Sequence, residues 1–284
     1  MRSHAWLKVN ELAQKSSSLK SAPHLSGDSV RDLYDALAVN YDADTRRNDY
    51  DVWVAMYQRL ISRYGAPGNR LVDLGSGTGK AAIRFAASGY AVTGVDISPE
   101  MLRIAQARPG AERVRFAVAD LRRLPDLGEF DVAVALGEPF DYLRNEEELG
   151  GALRGVANLL APGGLLVFDI NTHGHYERFS RTLSVDERED MLMIWRGSRP
   201  ARDGKGADLR VDRFATDDGT TWRRSAELHS WSYFAPPTVS RLLLATGYAE
   251  LHTYGLFDGE LNASVDEQRD RKRIVVARKP EPPR

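Results

Sequence analysis

LVDLGSGTGK, residues 71–80, sets three glycines at alternate positions, Gly75, Gly77 and Gly79, directly behind an apolar run that carries one acid, Asp73. An apolar run that breaks into glycines and resumes with helix formers reads as strand, turn and helix, the unit that delivers a ligand to the end of a parallel sheet. Gly75 and Gly77 let bare main chain approach a ligand within contact distance, and Gly79 lets the next helix start close to the strand. A dinucleotide fingerprint needs a fourth-interval glycine where Lys80 stands, so a pyrophosphate ligand loses ground. Asp73, just ahead of the turn, suits a ligand carrying a positive amino or sulfonium group better than one carrying phosphates.

Outward from this turn, short apolar runs alternate with helical patterns. RLVDL (70–74), YAVTGV (90–95), VRFAV (114–118), FDVAVAL (130–136) and GLLVFDI (164–170) read as strands, with helices over 79–88, 99–107 and 147–160. That rhythm predicts an α/β fold with a doubly wound parallel sheet. Two amphipathic helices precede it; the second, DYDVWVAMYQRLISRYG, spaces Trp53, Met56, Tyr57, Leu60 and Ile61 on one face and stops at Gly65. After residue 171 the rhythm breaks. MLMIWRG and DLRVDRFATDDGTTWRRSAELHSWSYF alternate like antiparallel strands about the turn DDGT, before a helix at PPTVSRLLLATGY and two closing strands, AELHTYGLF and RIVVARK. The expected organisation is a flexible segment over 1–28, a helical lid over 29–66, a core over 67–171 and 235–280, and a β insertion over 172–234 that covers the acceptor site.

The 284 residues are 42% hydrophobic with a formal net charge of −1, enough for one sizeable core and too balanced to draw the chain onto nucleic acid or an anionic membrane. The absence of cysteine excludes disulfide scaffolds and thiolate metal sites. No apolar run is long enough to span a bilayer and no signal-peptide pattern opens the chain, so a cytoplasmic location is expected. Expected partners are small molecules, with homo-oligomerisation left open.

Further residues point to a nucleoside. Asp96 ends the second strand in GVDIS, where a carboxylate can accept both hydroxyls of a ribose, and Ser98 is free to cap the helix that follows. Asp120, in VADLRRLP, is placed to accept a purine's exocyclic amine or to cap a short helix, while Ile97, Met101 and Leu121 offer apolar faces to the ring and Leu136 ends the fourth strand. VDLGSGTGK, VTGVDIS, AVADLRRLP and FDVAVALGEPFDYL, in this order and at these intervals, resemble the first four motifs of the class I S-adenosylmethionine-dependent methyltransferases, over about residues 30–279. YDALAVNYD, GEPFDYL, VFDINT and the segment from SYFAPPTV to GLFDG are similar, more narrowly, to bacterial methyltransferases of amino sugars and antibiotic precursors.

The resemblance implies a seven-stranded Rossmann-like sheet in the order 3-2-1-4-5-7-6 with its seventh strand antiparallel, and S-adenosylmethionine as cofactor, converted to S-adenosylhomocysteine. It implies methyl transfer to a nitrogen or oxygen of a small secondary-metabolite acceptor by in-line displacement. Cofactor contacts then fall to Tyr41, Asp73, Gly75, Gly77, Asp96, Ile97, Met101, Asp120, Leu121 and Leu136, and acceptor contacts to Tyr34 and Asp141. Proton-handling candidates are Glu138, Tyr142 and the loop residue His173. His173 and His175 lack a third ligand pattern, so no metal is called for. The residues alone leave open a nucleic-acid or protein methyltransferase, with Trp222, Arg223 and Arg224 as its local basic patch, and a cofactor-binding regulator without turnover.

Overall fold

The computed structural model describes residues 27–199 and 206–281. The flexible segment expected over 1–28 lies outside these residues except at 27 and 28, which already belong to the first helix. Helices α1 (Gly27–Asp44) and α2 (Tyr50–Tyr64) lead into the sheet. Asp49 caps α2 through its carboxylate, which accepts the amides of Asp51 and Val52, and Gly65 ends it at φ 70°. Its buried stripe, Val54, Met56, Tyr57, Leu60 and Ile61, lies on one face at helical spacing.

The strands β1 (Arg70–Leu74), β2 (Ala91–Asp96), β3 (Val114–Val118), β4 (Phe130–Ala135) and β5 (Leu160–Asn171) alternate with α3 (Lys80–Ala87), α4 (Pro99–Gln106) and α5 (Glu146–Leu159). Near the C-terminus come α7 (Pro236–Ala245), β10 (Ala249–Phe257), β11 (Glu260–Asn262) and β12 (Lys272–Arg278). The main sheet runs β3-β2-β1-β4-β5-β12-β10-β11. β1 to β5 pair in parallel, and β12 is antiparallel to both β5 and β10. This is the expected 3-2-1-4-5-7-6 order with one strand more, eight in place of seven. The added strand arises at Asp258 and Gly259, whose φ values of 50° and 82° turn the chain back so that Glu260–Asn262 pairs with Gly255–Phe257.

Alternate residues of the strands feed two cores. Val72, Leu74, Ala133, Ala135, Leu166 and Phe168 pack with Leu149, Leu153 and Val156 of α5 and Leu243 of α7. Leu71, Val132, Val134 and Val167 meet α2 and Phe85 of α3 on the other face. Sandwiched strands must be apolar on both sides, which is why the sequence shows them as unbroken runs. After β1 the chain winds toward β3, then restarts at β4 on the other side. The reversal opens a crevice between the carboxyl ends of β1 and β4, where such sheets bind ligands.

Between β5 and α7 lie α6 (His173–Phe179) and a four-stranded antiparallel sheet in the order β6 (Leu183–Glu187), β7 (Met191–Ser198), β8 (Ala207–Ala215), β9 (Arg223–Trp231). The expected β insertion is therefore a full small sheet with a core of Met191, Met193, Leu209 and Val211. β6 gave no sequence signal because it is an edge strand without a buried face: none of its five residues is fully buried and four are exposed.

Candidate active site

A cavity of about 1230 Å³, open mouth included, occupies the crevice. Its floor is the glycine turn. Gly75, Gly77 and Gly79 all have positive φ, from 53° to 77°, a region that side-chain-bearing residues avoid. The Gly75 and Ser76 amides donate to the carbonyl of Val95, which fastens the turn to β2. A Cβ on Gly75 would stand 2.8 Å from Cβ of Pro139, and one on Gly79 would stand 2.9 Å from Cβ of Ala105. Gly79 thus serves helix packing, whereas Gly77 faces open space bounded by Tyr41 at 4.0 Å.

Asp96 closes β2 with its carboxylate in the cavity wall. One oxygen accepts the Gly77 amide at 2.8 Å and the other the Ser98 amide at 2.9 Å. Each oxygen keeps a lone pair, a geometry that can take two neighbouring hydroxyls. Ser98 caps α4 through the Met101 amide, which leaves Asp96 free of that task. Burial pushes Asp96 up to about 6, against the pull of the amides of Ser98, Gly77 and Ile97. Asp73 is pushed to about 7, first by burial and then by the charge of Asp96. Among the described residues its Oδ2 is buried and has no hydrogen-bond partner, so the site holds a carboxylate oxygen that awaits a donor or a cation.

At the exit of β4, Glu138 adopts φ 54° and ψ 40°, a left-handed conformation that costs a non-glycine residue about 1–3 kcal/mol. The amides of Gly137 and Glu138 both donate to Oδ1 of Asp169, which fixes that turn. Lys272, buried at the start of β12, lies 2.9 Å from Glu138 Oε2 and 2.6 Å from Asp169 Oδ2, with Trp53 beneath its ammonium. Burial works against the charged form of Glu138, but Lys272 overcomes it and holds the carboxyl below its usual range. The result is an ionised carboxylate kept on the cavity wall.

Twelve of the fifteen residues singled out from the sequence line this cavity: Tyr34, Tyr41, Asp73, Gly75, Gly77, Asp96, Ile97, Asp120, Leu121, Leu136, Glu138 and Tyr142. Asp120 arrives already engaged, since it caps the turn Leu121–Arg123 through the Arg122 amide and takes the Arg122 guanidinium at 2.9 Å. Three residues are placed elsewhere. Met101 is fully buried in a cluster with Leu33, Leu37 and Ala38, where α4 meets α1. Asp141 is turned inward: its Oδ2 accepts from the amide and side chain of Asn171 and from the Tyr176 hydroxyl, so it ties the turn to β5 and α6. His173 opens α6, facing Tyr233 in a separate cavity that also contains Arg144 and Ser232. Each of the three serves the fold instead: Met101 fills the seam between α1 and α4, Asp141 anchors Asn171 and Tyr176, and His173 begins the helix that Thr172 caps.

The sequence reading missed Tyr50, Trp53, Lys80 and Arg271 on the wall, and His229 behind it. Lys80, at the start of α3, bridges to Asp42 at 3.0 Å over the ring of Tyr50. Asp42 also accepts from Thr78 Oγ1 at 2.8 Å, so the end of α1 is fastened to the glycine turn. Lys272 had a legible signal, a cation opening the buried run KRIVV, with its partner acid inside LLVFDIN. His229 had none, because its neighbours come from chain segments about 90 and 200 positions away.

Comparison with known proteins agrees with this construction. Residues 71–164 match a methyltransferase domain family. A protein of Geobacillus sp. (strain WCH70) that bears a methyltransferase name is 29% identical over 241 residues, 83% of this chain and 96% of that one. In fold, the chain is similar to an S-adenosylmethionine-dependent methyltransferase from Clostridium acetobutylicum ATCC 824, with a TM-score of 0.72 at 19% identity, covering 87% and 99% of the two chains. It is similar as well to an amino pentose methyltransferase from Micromonospora echinaspora involved in calicheamicin biosynthesis, solved with S-adenosylmethionine bound: TM-score 0.66, 21% identity, 85% and 96% covered. A turn of bare backbone, an Asp96 with both oxygens on the cavity wall and the unpartnered Asp73 oxygen fit a cationic adenosyl ligand, and the chain is similar in this region to a methyltransferase domain and in fold to S-adenosylmethionine-dependent methyltransferases.

Proposed function

We propose that the chain transfers the methyl group to a nitrogen or oxygen of a small-molecule acceptor in secondary-metabolite biosynthesis, and that the residues lining the cavity divide the work. The observation that carries this reading is the pair of buried acids at the glycine turn, Asp73 with an unpartnered oxygen and Asp96 with one free lone pair on each oxygen. Asp96 takes the ribose hydroxyls, Asp73 and the backbone of Gly75 and Gly77 receive the amino-acid end, and Ile97, Leu121 and Leu136 flank the ring and chain. Met101 supports this wall from behind. S-adenosylmethionine, when bound, supplies an electrophilic methyl on a sulfonium and a neutral thioether as leaving group.

The protein's remaining task is to hold the attacking atom in line and exclude water, an effect able to lower the barrier by about 7–11 kcal/mol. Tyr34, Tyr41 and Tyr142 present ring faces and edges to a cation in the cavity. Glu138, kept ionised by Lys272, stabilises positive charge as it develops on an attacking nitrogen, or accepts the proton of an attacking hydroxyl. The likeness to the amino pentose enzyme supports a small acceptor. The nucleic-acid alternative finds little here: Arg223 and Arg224 are engaged by Asp217 and Asp212.

Calorimetry with S-adenosylhomocysteine on wild type and Asp96→Ala tests the cofactor site. The expected result is clear binding by wild type and at least a tenfold loss in the variant, the scale of one charge-assisted hydrogen-bond pair; equal affinities reject the assignment. Incubation of the enzyme with isotope-labelled donor and a metabolite extract, read by mass spectrometry, identifies the acceptor.

A further inference from the structure

A chain of hydrogen bonds leads out of the cavity and ends in the insertion. The Tyr34 hydroxyl, on α1, donates to the Tyr142 oxygen at 2.8 Å, and the Tyr142 hydroxyl stands 2.8 Å from Nδ1 of His229, on β9. Tyr34 and Tyr142 line the cavity, while His229 is buried behind them, packed on Trp231 and edge-on to Tyr34. The chain runs outward in the His229 tautomer that carries its proton on Nε2. The Tyr142 oxygen accepts the Tyr34 proton, and the Trp231 ring stands edge-on to Tyr142 with centroids 6.0 Å apart. The Tyr142 proton therefore goes to His229. Burial lowers His229 to about 4, which keeps the imidazole neutral at physiological pH, and its Nε2–H tautomer leaves Nδ1 to accept the Tyr142 proton. Burial raises both phenols, which stay protonated.

We infer that His229 is a positioning residue for methyl transfer: by ending this chain at a fixed acceptor, it draws the protons of Tyr142 and Tyr34 away from the cavity, so that the contents of the cavity meet phenolic oxygen rather than phenolic hydrogen. The inference rests on the cavity being the place of methyl transfer. The orientation matters because a hydroxyl proton aimed inward would bind the attacking lone pair and withdraw it from reaction, and would oppose a cationic methyl donor. With the protons directed outward, the Tyr34 oxygen is left to accept from whatever carries positive charge or an N–H there. Hydrogen bonds in such a chain polarise one another, so an acceptor at the far end is felt at the near one.

Two probes read this without knowledge of the acceptor. S-adenosylhomocysteine is neutral at sulfur, and sinefungin places an ammonium-bearing carbon at that position. The expected result is that His229→Leu lowers the sinefungin-to-S-adenosylhomocysteine affinity ratio roughly tenfold, the scale of one hydrogen bond to a charged group, while S-adenosylhomocysteine binding stays near wild type. His229→Asn, whose amide oxygen can stand in for Nδ1, restores the ratio. Tyr142→Phe severs the chain and lowers the ratio too, and adding His229→Leu to it changes nothing more. An unchanged ratio in His229→Leu, or an equal effect of that substitution with Phe at 142, overturns the inference.

Should His229→Leu fail to fold, 15N NMR of histidine-labelled wild type and Tyr142→Phe decides instead. The expected species is the Nε2–H tautomer with an Nδ1 signal that moves when the phenol is lost; an Nδ1–H tautomer overturns the inference. Wild-type protein that binds neither probe would reject the methyl-transfer reading itself, a distinct result.

Discussion

Asp73 shows how one buried oxygen becomes a testable quantity. Its carboxyl titrates near 7 and that of Asp96 near 6, both above the ordinary 3.8 because burial disfavours their charged forms. A ligand that brings an ammonium to Asp73 and hydroxyls to Asp96 favours the ionised forms, so its affinity rises as pH climbs through those values. Calorimetry with S-adenosylhomocysteine is expected to show tighter binding at about pH 7.5 than at about pH 5.5, and Asp73→Asn is expected to flatten that dependence. Glu138→Gln should act differently. It removes a charge from the acceptor side, so turnover of an identified acceptor should fall roughly a hundredfold with little change in S-adenosylhomocysteine affinity. The residues proposed to hold the cofactor were legible because they lie at or just past strand ends within one continuous stretch, as Gly75, Asp96 and Leu121 do. Lys272, Trp53 and His229 were not, since only folding brings them near Glu138 and Tyr142.

Among the elements, the strands over 70–74, 114–118 and 249–257 have the bounds read from the sequence, the helices over 79–88, 99–107 and 147–160 differ by at most one residue at either end, and the helix read over PPTVSRLLLATGY stops three residues early at Ala245. Buried strands declare themselves through composition; α6 and β6 hid because the loop-like NTHGHYERF becomes helical only when Thr172 caps it and β6 has no apolar face. Gly79 carries a prediction at this scale. Gly79→Ala combines a positive φ with close approach to Ala105 and Phe116 of the neighbouring elements, so denaturant unfolding should show a loss of about 1–3 kcal/mol. The insertion has its own fixed point in Asp212, buried among Arg196, Arg210 and Arg224, which hold it down at about 2. Asp212→Asn leaves three guanidiniums facing one another. Because they are partly exposed, the expected cost is moderate, about 1–3 kcal/mol, measurable as a lowered Tm that added salt partly restores.

At the scale of the whole molecule, pH dependence sums opposing groups. Asp73, Asp96 and Asp141 titrate at about 7, 6 and 8 in the folded chain, so they bind more protons folded than unfolded and stability falls as pH rises toward those values. His175 and His229, lowered to about 4, act in the other direction, but only up to their ordinary value of 6.5. Above that pH the acids alone remain, and the Tm of the ligand-free protein is expected to fall between about pH 6.5 and 8.5, by roughly 2–4 °C per kcal/mol lost. Saturating S-adenosylhomocysteine should flatten the decline. The last turn of α1 adds a mechanical consequence. Asp42 grips Thr78 and Lys80 of the core while Asp44, two residues on, forms a buried ion pair with Arg213 of the insertion. One short stretch of backbone is thereby bolted to two bodies at once, and the release rate of S-adenosylhomocysteine, read by stopped flow, is expected to rise with ionic strength as salt screens the partly exposed Asp42 pair.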